Sequence, residues 1–350
     1  MPDTALTRDV FDRRFRERFA DPAFDTLQAE IDRLADAAWD AYSDGRKAPR
    51  AHKAGAGYAD PGYELSDDWR AAKQAIDEAR RRHDDRQKPL NVLLINGSSR
   101  SEHTCPGEMS KTWRLLEMAR AVLSHADDVE IEVIDLSRLS SEYGLHIHPC
   151  KACFSTAAPL CHWPCSCYPN HGQGQVQDWM NEIYPMWVRA HGVMIVAPVN
   201  WYQAPSPLKL MMDRLVCADG GNPDPTATGG KDAARAKELE LKGWGYPRHL
   251  EGRLFSLIVH GDTEGAETLR RMLADWLTSM HLAPAASGAV LERYIGYFKP
   301  YATSHDDLDA DTDLQEEVRI AARALLEALR CKRDGKVLPL EAVQQEQRPK

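Results

Sequence analysis

No stretch of this 350-residue chain approaches the ~18 consecutive apolar residues that a membrane helix requires, so a spanning protein is not expected. The opening residues alternate charge signs and lack the apolar core of a secretory signal, which makes the cytoplasm the expected location. Basic charge is not in excess either. With 44 Lys and Arg against 53 Asp and Glu, the net charge of −9 leaves no electrostatic footprint for nucleic acid. Two nucleotide-binding signatures are also missing. No Gly-x-Gly-x-x-Gly follows the first apolar strand, and Ser110-Lys111-Thr112 lacks the glycines of a Walker A loop. What remains, at 43% hydrophobic residues and mean hydropathy −0.51, reads as a globular protein of one or two domains at roughly 150 residues each.

Residues 1–88 read as a highly charged helical arm. Phe11, Phe15 and Phe19 recur at a spacing of four, as do Ile31 after Leu27 and Ala38 after Leu34, which puts the apolar side chains on one helix face. Pro22 is expected to split this stretch into two helices, the glycine- and proline-rich segment 45–61 to be a loop, and Trp69–Arg82 to be a third helix. The arm is too charged to stand alone and is expected to pack on the body or on a second subunit. From Leu90 the pattern changes to short apolar runs alternating with amphipathic stretches. Strands are expected at 91–96, 129–135, 192–197, 254–260 and, more weakly, 285–291, with helices at about 110–124, 177–190, 206–216, 263–281 and 314–330. That alternation predicts an α/β fold, a five-stranded doubly wound parallel sheet in three layers over 89–331. It also leaves two long insertions, 137–174 and 218–252, and a polar tail at 332–350. Loops of such length are often functional.

In a doubly wound sheet, ligands bind where loops leave the carboxyl ends of the strands. The first such loop is Gly97-Ser98-Ser99-Arg100, leading to a helix near Ser110-Lys111-Thr112. Small hydroxyl residues ahead of a helix N-terminus offer N–H groups, hydroxyls and a positive dipole end to a phosphate. The third strand is followed by Pro198-Val199-Asn200-Trp201-Tyr202, two aromatics in a proline-bounded loop suited to border a flat ring. The fourth is followed by His260-Gly261-Asp262 at the same edge.

This combination, continued by Leu208-Lys209 and Asp213-Arg214, resembles the NADPH-dependent FMN reductases of the flavodoxin-like superfamily over about Leu90 to Leu291. The resemblance implies an oxidoreductase that passes electrons from NAD(P)H through FMN to a small-molecule acceptor, as a homodimer or homotetramer. It implies phosphate contacts from Ser98, Arg100, Ser110, Lys111 and Thr112, with either Thr104 or Thr112 meeting the phosphate. Pro198, Val199, Asn200, Trp201 and Tyr202 would border the isoalloxazine, with His260, Gly261 and Asp262 on its other side. Lys209 and Asp213-Arg214 would be mainly structural. No catalytic side chain is required, because the cofactor supplies the chemistry.

Five of the eight cysteines, Cys150, Cys153, Cys161, Cys165 and Cys167, fall in the 137–174 insertion. Three readings stay open. Iron–sulfur flavoproteins of the same superfamily carry a cysteine motif in this connection, which would make these thiolates ligands of a [4Fe–4S] cluster and the protein an electron carrier. A Cys-x-x-Cys with further Cys and His also suits a zinc site stiffening a non-enzymatic flavodoxin-like module. The third reading is a thiol pair or simple packing beside the flavin pocket. Cys105 would approach this insertion, while Cys217 and Cys331 sit on helices as small buried hydrophobes.

Overall fold

The computed structural model describes residues 5–104, 107, 109–300 and 303–336. Helices α1 (Arg8–Arg16) and α2 (Gln28–Ser43) form an antiparallel pair closed by aromatic contacts, Phe11 lying 5.3 Å from Trp39 and 5.2 Å from Tyr42. Asp21 caps a short 3₁₀ turn at Pro22 that separates them. Segment 45–61 is not wholly loop: β1 (Ala51–Lys53) pairs antiparallel with β2 (Glu64–Ser66). Ser66 then caps α3 (Asp67–Asp84), its hydroxyl accepting from the Trp69 amide. The apolar face of α3 packs into the body: Ile76 and Ala79 join the core against α5, and the Trp69 indole donates to the Pro164 carbonyl at 2.8 Å.

The body alternates β3 (Leu90–Asn96), α4 (Lys111–Leu123), β4 (Val129–Asp135), α5 (Met180–Arg189), β5 (Gly192–Pro198), α6 (Ser206–Arg214), α7 (Ala233–Leu241), β6 (Leu254–Gly261), α8 (Ala266–Ser279), β7 (Ala283–Pro284), β8 (Val290–Tyr294), α9 (Ser304–Ala310) and α10 (Thr312–Arg333). The sheet is parallel in the order β4-β3-β5-β6, with β7 and β8 both along the outer edge of β6. Strand β3 has no alternation to read, because both its faces are covered. Leu93 and Ile95 face a core built with α3, α5, α6 and α8, while Val92 and Leu94 face α4 and α10. The result is the three-layer flavodoxin-like α/β fold.

Two expectations need correction. The weak strand at 285–291 is instead a fifth strand broken in two, because a 3₁₀ turn at Ser287–Ala289 interrupts it and the Ser256 hydroxyl binds the Ala289 carbonyl there at 2.6 Å. Insertion 218–252 is not irregular throughout: Asp232 accepts from the amides of Ala234 and Arg235 and so starts α7. The two insertions pack on each other, with Trp163 stacked on His249 and its amide donating to Asn222. No helix among the described residues is long and apolar enough to cross a membrane.

Candidate functional site

The chain leaves β3, crosses to β4 on one side, and returns to β5 on the other, so a crevice opens at the carboxyl ends of β3 and β5. A cavity of about 410 Å³ occupies it, lined by Ser98, Ser99, Arg100, Thr104, Ser110, Lys111, Thr112, Pro198, Val199, Asn200, His260, Gly261, Asp262 and Ile295. That volume falls in the range of small-molecule and cofactor pockets, roughly 300–1,000 Å³.

One end of the cavity is a cradle of donors. Asn96, the last residue of β3, donates from its side-chain amide to Asp135 at 2.7 Å and accepts from the Ser98 amide at 3.2 Å, which ties the loop to the adjacent strand. The Ser98 hydroxyl accepts from the Arg100 amide at 3.0 Å, tightening the turn. Ser110 is the N-cap of α4, its hydroxyl accepting from Trp113 at 3.1 Å. The helix therefore aims its first amides and its positive end into the crevice, with the Lys111 side chain, 5% exposed, beside them. Thr112 and His260 share a hydrogen bond of 2.8 Å across the floor. Burial, reinforced by the Lys111 charge, pushes His260 down to about 3, so its imidazole is neutral throughout the physiological range.

Of the thirteen residues expected here, eleven line the cavity and two do not. Trp201 and Tyr202 stand at its rim, 94% and 56% exposed. The reason is the turn: Asn200 and Gln203 exchange both backbone hydrogen bonds at 2.9 Å, leaving Trp201 (φ 47) and Tyr202 (φ 66) as the two central left-handed residues of a tight hairpin. Such turns normally announce themselves by Asn-Gly or Gly-Gly, and two aromatics carry no such signal. Ser99 and Ile295 also belong to the lining. Ser99 adjoins residues already singled out, whereas Ile295 follows β8 and reaches the site only because that strand pairs with β6, its amide donating to the Gly261 carbonyl at 2.9 Å.

Arg214, on α6, lies outside the cavity. Its guanidinium, fully buried, makes a two-pronged ion pair with Asp178, donates to the His148 carbonyl at 2.9 Å and lies 4.9 Å from the centre of the Tyr168 ring. It thus anchors the cysteine insertion to the body. Lys209 and Asp213 form an exposed i, i+4 pair on the same helix.

The insertion brings four of its five thiols together: Cys153 adjoins Cys161 and Cys167, and Cys165 adjoins Cys167. Cys150 is close enough for its charge to act on Cys161 and lines a groove with Phe154, Met212 and Trp276. The Cys161 neighbour and burial push Cys153 up to about 12, and Cys167 with burial holds Cys165 well above the usual thiol range. These are thiols rather than thiolates at neutral pH. Among the described residues, no group of three or more His, Cys, Asp or Glu side chains is placed to hold a metal ion. Four of the five cysteines expected as cluster or zinc ligands are thus neighbours in space. Cys105 lies outside the described residues, as does the tail from residue 337. Cys217 is buried and Cys331 half-buried.

Five histidines share a consequence for acid stability. Burial pushes His162 and His249 down to about 4, His83 and His260 to about 3, and lowers His191 as well, against about 6.5 for an unfolded chain. Between those values the unfolded state binds more protons, so stability is full above about pH 6.5 and is lost as pH falls toward 4, at up to about 1.4 kcal/mol per pH unit for each group. Urea unfolding should show a flat midpoint from pH 7 to 8 and a marked drop by pH 5. A midpoint unchanged at pH 5 would contradict the assignment of neutral, buried imidazoles.

The parallel sheet and a donor-lined crevice at its switch point define a doubly wound α/β protein with a cleft at the strand ends. More specifically, the chain belongs to the NADPH-dependent FMN reductase family, whose family model matches residues 90–294. It is accordingly an oxidoreductase with FMN as cofactor and NAD(P)H as co-substrate. No curated protein matches the sequence. Structures of similar fold include RosB with bound 8-demethyl-8-formylriboflavin-5′-phosphate, at 12% identity and TM-score 0.47, covering 72% of this chain and 84% of that one. Azoreductase AzrA aligns at 12% identity and TM-score 0.41, covering 67% and 100%. NAD(P)H:quinone oxidoreductase from Methanothermobacter marburgensis aligns at 18% identity and TM-score 0.38, covering 71% and 100%.

Proposed function

We propose that the crevice holds FMN with its phosphate among Ser98, Arg100, Ser110, Lys111 and Thr112 and its ring between the 198–200 and 260–262 segments, and that the electrons go to a small-molecule acceptor. The observation that carries this reading is the buried Lys111 at the capped N-terminus of α4, inside a cavity whose other end is walled by Pro198, Val199 and Gly261. A phosphate dianion satisfies the first end and a flat ring the second.

When bound, FMN supplies the chemistry, taking a hydride equivalent from NAD(P)H and returning electrons to an acceptor. The protein binds and orients. Arg100, Lys111 and the α4 amides hold the phosphate by charge-assisted hydrogen bonds. His260, neutral and tied to Thr112, fixes the floor and holds no exchangeable charge near neutral pH. Pro198 and Val199 exclude water from one side of the crevice, and the backbone of Asn200, Gly261 and Asp262 is placed to read the polar edge of a ring. A cytoplasmic homodimer or homotetramer belongs to the same reading, and light scattering checks the assembly.

The test is spectroscopic. Purified protein should carry or take up FMN to about one per chain, and NADPH or NADH should bleach the flavin bands under anaerobic conditions, with colour restored by a quinone. Protein that remains colourless after incubation with FMN would refute the proposed site.

A further inference from the structure

The cavity accounts for one cofactor, and four exposed aromatic side chains stand just outside it. Trp201 and Tyr202 occupy one rim, on the loop after β5. On the other rim, after β8, Tyr294 and Phe298 lie with ring centres 4.9 Å apart, Phe298 being 94% exposed. Both pairs rest on the same loop after β6. A Cβ at Gly265 would lie 3.0 Å from the Cα of Tyr202, and one at Gly296 would lie 2.6 Å from the Tyr294 hydroxyl and 2.7 Å from the Cβ of Asp262. Ile295, between the second pair, is itself part of the cavity wall.

Backbone strain is concentrated at the same place. Of the seven non-glycine residues with positive φ among the described residues, four are Trp201, Tyr202, Tyr297 and Phe298. Holding side-chain-bearing residues there is costly, and such strain clusters at ligand-contacting segments. The β8 loop is also fastened from behind, the Tyr297 hydroxyl donating to Asp311, the N-cap of α10, at 3.0 Å. The exposed rings are therefore displayed by a built loop.

We infer that Tyr294 and Phe298 are specificity-determining residues that, with Trp201 and Tyr202 on the other side of the β6 loop, hold a planar aromatic electron acceptor against the flavin edge by stacking. This rests on the FMN reading above. Ring faces left free outside a cavity that one cofactor fills are available to a second flat molecule, and offset stacking favours an aromatic over a compact inorganic acceptor.

The experiment uses the FMN-loaded full chain with NADPH as donor and compares a naphthoquinone with ferricyanide, which cannot stack. In the Tyr294→Ala/Phe298→Ala variant, the ratio of kcat/KM for naphthoquinone to that for ferricyanide should fall about tenfold, which corresponds to about 1.4 kcal/mol. Phe298→Tyr, which keeps a ring, should restore most of the ratio in the presence of Tyr294. An equal fall for both acceptors, or a ratio that does not move, overturns the inference. So does a change from oligomer to monomer in the double variant, since the rings would then be a subunit contact. Failure of the FMN reading itself is distinct: the unsubstituted protein would hold no flavin.

Discussion

Lys111→Met should weaken FMN binding by roughly 30- to 150-fold while leaving the protein folded. The Lys111 ammonium lies in the cavity wall, 5% exposed, at the first position of α4, within 3.4 Å of the Ile295 carbonyl. A hydrogen bond to a charged partner contributes about 1.5–3 kcal/mol, and desolvation of this lysine in the unliganded protein places the effect in the upper part of that range. About 2–3 kcal/mol, at 1.4 kcal/mol per decade, gives the stated loss. Riboflavin, which lacks the phosphate, supplies the control: its affinity should respond far less than that of FMN in titrations followed by flavin fluorescence. Equal losses for the two ligands would place the phosphate elsewhere.

Asp178→Ala should lower global stability by about 3–5 kcal/mol, because it strands the buried Arg214 guanidinium. Both side chains of this pair are completely buried, and Arg214 has no other carboxylate in the contacts described for it. Removing the acid leaves a charge whose remaining partners are the carbonyl of His148, the hydroxyl of Tyr184 and the face of the Tyr168 ring. Asp178→Ala/Arg214→Met should recover much of the loss, although the His148 carbonyl then loses its donor. Urea unfolding of the two single variants and the double variant measures the coupling, and additive losses would show that the pair does not act as a unit. FMN affinity of the folded protein should change little, since neither residue lines the cavity.

Much of the site was legible because its signals are local. Hydroxyl residues between an apolar strand and a helix, a proline after the third strand and a Gly turn after the fourth each describe the chain near themselves, and eleven of the thirteen residues they indicated line one cavity. The misses have identifiable causes. Trp201 and Tyr202 read as ring-facing because aromatics beside a pocket usually pack into it, but a left-handed two-residue turn directs them outward. Ile295 carries no sequence signal at all, since an isoleucine after a weak strand is ordinary. The fifth strand was misplaced because its alternation is interrupted by a 3₁₀ turn whose carbonyl is held from β6, a tertiary contact.

By itself the sequence determined the alternation of strands and helices, the parallel sheet, the polar and small-residue composition of each loop at its carboxyl edge, and the absence of a membrane-length apolar run. These follow from period and composition, which are properties of neighbouring residues. Only the tertiary structure decided which loops meet. It drew the β8 loop against the β6 turn and buried His260 beside Lys111, and that burial, reinforced by the lysine charge, held the imidazole neutral. It also brought four of the five clustered cysteines into contact. The physical reason is that burial, charge environment and proximity are set by segments far apart in the chain, Thr112 and His260 being 148 residues from each other and joined by a single hydrogen bond.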